Sequence, residues 1–106
     1  MPKFMIKASY TAEGARGIAK EGGTGRRATV QKLIESLGGK MESFYFGYGD
    51  ADVYVISELP DAKAALACSL ATNSTGAVHV STIPLITPEE MDAASKMTVA
   101  YRAPGA

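Results

Sequence analysis

With a single cysteine, Cys68, the chain cannot form an internal disulfide. With a single histidine, His79, no Cys/His spacing resembles a metal site, so neither a metal nor another cofactor is expected. Neither charge sign is in surplus: Lys+Arg and Asp+Glu each number 11. A balanced surface gives no electrostatic drive toward nucleic acid, which needs a basic face to displace counterions, and none toward an anionic membrane. No apolar run approaches the roughly 20 residues of a membrane-spanning helix. Lys3 and Lys7 interrupt the start of the sequence, which leaves no apolar core for a signal peptide, and the expected compartment is the reducing cytoplasm.

What is present describes an ordinary globular domain. Hydrophobic residues make up 46% of the 106 residues and charged residues 21%, enough apolar material for one core and too much for disorder. Weak self-repulsion at zero net charge leaves the chain free to associate with itself.

The hydrophobic pattern alternates between two periods. Residues 3–10 place Phe4, Ile6, Ala8 and Tyr10 on one face of a strand and Lys3, Met5, Lys7 and Ser9 on the other. Thr11 caps a short helical turn that Glu21-Gly22-Gly23 breaks. After Thr24, read as an N-cap, Val30, Leu33, Ile34 and Leu37 recur at helical spacing until Gly38-Gly39. Two aromatic and β-branched runs, KMESFYFGYG and ADVYVISEL, read as a hairpin. Asp61 opens a second helix with Ala62, Ala65, Leu66, Ser69 and Leu70 as its core stripe, closed by Gly76. AVHVSTIPLI is the fourth strand. Thr87-Pro88-Glu89-Glu90 has the form of a capping box with proline at the first helical position, and predicts a third, short helix. The segment MTVAYR is a candidate edge strand before Pro104-Gly105.

This βαββαβ order predicts an α+β, ferredoxin-like single domain over residues 1–106. Its antiparallel sheet has spatial order 4-1-3-2, with both main helices on one face. If Phe4/Ile6/Ala8, Phe44/Phe46, Val53/Val55 and Val78/Val80 point at the helices, the opposite face carries Lys7, Ser9, Ser43, Tyr45, Asp52, Tyr54, His79 and Ser81, with Met5, Ile56 and Ile83 among them. An aromatic, apolar surface with a few convergent polar groups is typical of ligand pockets and wet dimer interfaces. Its plainer account is a mildly amphipathic solvated sheet.

Individual residues carry competing accounts. His79, the one histidine, is a candidate general base or haem ligand, the two roles an imidazole most often takes; otherwise it is one polar residue on a half-exposed strand. Asp52 and Tyr54 could orient a substrate hydroxyl or carbonyl, or Asp52 could fix the hairpin by accepting backbone hydrogen bonds. Lys7, Ser9, Tyr45 and Ser81 are candidate ligand contacts. Arg26 and Arg27, beside Gly22-Gly23-Thr24-Gly25 at a helix start, are a candidate anion site or simply solvated arginines. Cys68 lies with Ala64, Ala67 and Ala71 on a small-residue helix face suited to close packing, and nothing nearby would activate its thiol.

GGTGRRATVQKLIESLGGKMESFYFGYGDADVYVISELPD, together with KASYTAEG, LITPEEM and AYRAPG, resembles the GYD-domain family. The shared features are a Gly-Gly-x-x-Arg-Arg helix start, Leu-Gly-Gly-Lys, a Phe-Tyr-Phe strand, Gly-x-Tyr-Asp and a closing Pro-Asp. Counted back from Pro60-Asp61, Gly-x-Tyr-Asp falls on Gly49, Asp50, Ala51 and Asp52, so the family tyrosine is Ala51 here, with Tyr48 close by but out of register. The resemblance implies the fold of dimeric α/β-barrel proteins and no established activity. A weaker likeness to the effector domain of leucine-responsive transcription regulators implies a small-molecule ligand between subunits; no helix-turn-helix precedes the domain in this sequence. The leading expectation is a homo-oligomeric small-molecule-binding or assembly domain that uses the open face. The alternative is a cofactor-independent isomerase or monooxygenase with His79 as base.

Overall fold

In the computed structural model, which describes residues 1–106, the elements run β1 (Lys3–Tyr10), α1 (Ala12–Glu21), α2 (Gly23–Ser36), β2 (Lys40–Phe46), β3 (Val53–Glu58), α3 (Ala62–Asn73), β4 (Val78–Leu85) and α4 (Pro88–Ser95). All strand pairs are antiparallel and the sheet order is β2-β3-β1-β4, as the ferredoxin-like reading requires. The period-2 pattern of the strands fixes which face is buried. Phe4, Ile6, Ala8, Val53, Val55, Val78 and Val80 form one cluster with Ile34 of α2 and with Ala65 and Cys68 of α3. Ile34 and Leu59 are fully buried, each contributing about 1.5–3 kcal/mol relative to exposure.

Helix ends follow their local chemistry. Thr11 Oγ1 accepts the Gly14 N–H, Asp61 Oδ1 accepts the Ala64 N–H, and Thr87 and Glu90 form a complete capping box with Pro88 at the first position. At the end of α2, Gly38 takes φ +80°, and the Gly39 N–H returns to the Ile34 carbonyl. Gly39 also admits β3's neighbourhood: a Cβ there would lie 2.4 Å from the Glu58 carbonyl oxygen. The outer strands are β2 and β4. β2 carries a register shift between Met41 and Ser43, a bulge that sets Glu42 toward Lys3. β4 carries Pro84, paired with Phe4.

Four expectations need correction. α1 is a full ten-residue helix rather than a short turn. Thr24 lies inside α2, whose cap is Gly22 at φ +86° with no side-chain hydrogen bond. The stripe of α3 that meets the sheet is Ala65 and Cys68, while Leu66 and Leu70 are 60% and 62% exposed. Apolar residues occur around nearly the whole circumference of α3, so periodicity alone does not select its buried face; close approach to β4 favours the small one. MTVAYR forms no strand, because the chain beyond β4 turns away through α4 and does not return to the sheet edge.

From Ile86 onward every residue is exposed. The consequence is an elongated molecule, 56 × 32 × 22 Å, with a radius of gyration of 16.8 Å where a compact chain of this length would have about 13 Å.

Candidate functional site

The open face is assembled by register. Tyr45 stands opposite Tyr54, Tyr54 opposite Lys7, and Lys7 opposite Ser81, so these four side chains form one continuous row across all four strands. The next row toward the C-terminal end of β1 brings Ser9 opposite His79. On the other side, Met5 stands between Ile56 and Ile83, with Ser43 beside Ile56. The ligand contacts expected from the sequence therefore do gather on one surface.

Within that surface the chemistry is sparse. Lys7 Nζ lies 6.0 Å from the centroid of the Tyr54 ring, the outer limit of a cation–π contact, and pairs with no carboxylate. Tyr45 is 69% exposed and Ile83 is 41% exposed. His79 is exposed and makes no side-chain hydrogen bond. Asp52 Oδ2 accepts the Tyr10 N–H at 2.8 Å, while its own N–H donates to the Ala8 carbonyl at 2.8 Å. That geometry ties the β2–β3 connection to the end of β1, the structural account of Asp52. Ser9 Oγ reaches only the Asp50 carbonyl, at 3.5 Å.

Lower on the same face, Lys3 donates to Glu42, the chain's one ion pair, and that hydrogen bond holds the ammonium above its ordinary range. This pair, with Ile56, Leu85, Ile86 and Glu90, lines a cleft of about 330 Å³ between the sheet and the start of α4. The bulge that creates the pair is not visible in the residue alternation, so sequence reasoning missed it.

Arg26 and Arg27 do not converge. Arg27 flanks an open cleft with Gly23, Thr24, Phe44 and Phe46, the two rings meeting edge to face at 5.2 Å. Arg26 turns toward α3, with its guanidinium 5.9 Å from the Tyr10 ring centroid. Consecutive helical residues diverge by about 100°, which explains the separation. Cys68 is buried, and burial pushes its thiol above the ordinary 9.0. No group of three His, Cys, Asp or Glu side chains is placed to hold a metal ion, and no helix is long and apolar enough to cross a membrane.

Element order, strand order and an uncovered sheet face define this as a ferredoxin-like α+β domain. A family model described as GYD domain matches residues 4–95, and the chain belongs to that family. The match carries no activity with it. No curated protein and no solved structure gives a significant match. Ala51, where the resemblance places the family tyrosine, is buried at 4% exposure, and the neighbouring Tyr48 projects fully into solvent.

Proposed function

We propose that the chain works as a homo-oligomeric small-molecule-binding domain, closing its open sheet face against a second copy and enclosing a modest ligand site there. The observation that carries this reading is the uncovered face itself. It combines Tyr45, Tyr54, Met5, Ile56 and Ile83 with the unpaired cation of Lys7 and the hydroxyl of Ser81, and only the start of α4 approaches it, at the cleft beside Ile56. Soluble monomers seldom expose contiguous patches of that kind. The exposed arm from Ile86 adds Met91, Met97, Val99 and Tyr101, each more than half exposed in the single chain. An isologous pairing of two copies would bury both surfaces together.

The cleft beside Lys3 and Glu42 opens on this same face, and at about 330 Å³ it matches the lower end of the range for small-ligand sites. General-base catalysis accounts for the face less well, since His79 has no hydrogen-bonded titratable partner. Multi-angle light scattering at micromolar concentration is expected to report a dimer or larger. Tyr45→Glu, at a position already exposed and so harmless to folding, is expected to shift the population to monomer. A monomeric unmodified chain overturns the reading.

A further inference from the structure

The helix-bearing side of the sheet holds an opening that the open face does not use. Because α3 turns Ala65, Cys68 and Thr72 inward and its leucines outward, the space between α2 and α3 is not filled by large side chains. A groove of about 340 Å³ runs between Val30 and Leu33 of α2 and Ala71 and Thr72 of α3. Beneath it, sharing Arg26, Val30, Leu33 and Thr72, an apolar recess of about 40 Å³ reaches Cys68 and Val80.

Arg26 stands where groove and recess meet. Its Nε is buried and has no hydrogen-bond partner. The guanidinium forms no ion pair, and neither the groove nor the recess has a carboxylate in its lining. Arg26 as a whole is half-buried, but a buried N–H of a charged group left unpaired is unfavourable, and an incoming acceptor relieves that cost. Guanidinium groups bind carboxylates with strong, directional hydrogen bonds.

We propose that this groove binds a small amphipathic anion, a carboxylate on a short alkyl or aryl body. The carboxylate meets Arg26, and the apolar end enters the recess toward Cys68 and Val80. The groove's volume restricts the ligand to the small end of the usual range. The site binds without covalent chemistry, because the thiol at its floor is buried and held in its neutral form. It lies on the opposite side of the sheet from the proposed interface, so the two readings stand or fall separately.

The probe is octanoate, with 1-octanol as the neutral comparison, titrated into the full chain carrying ¹³C-labelled methyl groups. Octanoate is expected to shift the methyl signals of Val30, Leu33 and Val80 and to leave those of Ile56 and Ile83 unmoved. It is expected to bind at least about tenfold more tightly than octanol. Arg26→Gln is expected to reduce octanoate affinity at least tenfold, with little effect on octanol. Ala71→Phe, at an exposed position on the groove's rim, is expected to weaken both probes while far-UV circular dichroism stays unchanged. Absence of shifts at millimolar octanoate overturns the proposal, as does equal octanoate affinity in the wild type and Arg26→Gln. Shifts confined to Ile56 and Ile83 also overturn it and support a ligand on the open face instead.

Discussion

Two glycines of α1 separate packing from helix propensity. At Gly14 an added Cβ would lie 2.0 Å from the Ala77 carbonyl oxygen, whereas at Gly17 it would meet nothing within 4 Å. Gly17→Ala should therefore stabilise the domain by up to about 1 kcal/mol, the ordinary propensity gain in a helix interior. Gly14→Ala makes the same local exchange but must lift the start of α1 by roughly 1.5 Å to restore normal contact. The Ala77 oxygen accepts both the Thr11 N–H at 3.1 Å and the Thr11 hydroxyl at 3.2 Å, and a shift of that size breaks both. Each lost bond costs about 1 kcal/mol net, and the residual overpacking another 1–3 kcal/mol. Even after the propensity gain, Gly14→Ala should destabilise by about 2–4 kcal/mol. Urea unfolding followed by far-UV circular dichroism measures both variants, with protein concentration held fixed because self-association would enter the transition. A Gly14→Ala protein as stable as the parent would refute the argument that α1 is seated on Ala77.

Asp52→Ala should cost about 1.5–3 kcal/mol, since it removes the charge-assisted hydrogen bond to the Tyr10 N–H; the loss is readable in the same urea assay, and an unchanged midpoint would count against the tie between the β2–β3 connection and β1. Burial raises the Cys68 thiol above its ordinary 9.0, so iodoacetamide at pH 8 should label the folded chain far more slowly than the urea-unfolded chain. The sign follows from linkage: with the folded value raised, this contribution to stability is intact below pH 9 and declines as pH rises past it. Cys68→Ala should remove that alkaline component while lowering overall stability, and an identical pH profile in the variant would exclude the thiol as its source.

The strands and their faces were legible because each carries a period-2 pattern with valine or phenylalanine on one side. Given the βαββαβ order, the right-handed crossover rule left little freedom in the sheet. The capping box at Thr87–Glu90 could be read directly, since both of its hydrogen bonds are local. The buried face of α3 could not, because alanine, cysteine and leucine surround the helix and only tertiary contact chooses among them. The gathering of Tyr45, Tyr54, Lys7 and Ser81 was legible for the same reason as the strands, each sharing the outward parity of its strand. The Lys3–Glu42 pair depends on a bulge, which changes parity within a strand and leaves no mark in residue alternation. The divergence of Arg26 and Arg27 follows from helical geometry, but the emptiness of the groove that receives Arg26 depends on which way α3 is turned.

The two outer strands also carry features that work against fibrous growth. An unprotected strand edge invites another chain to add to the ladder indefinitely. At one edge, β2 is interrupted by the bulge at Glu42 and begins at Lys40, a charged residue. At the other, Pro84 lacks the amide hydrogen a regular ladder would use. Chain addition at either edge is thus interrupted after a few residues, while the broad face between them stays unobstructed. The association proposed above would then be face to face, a geometry that closes on itself.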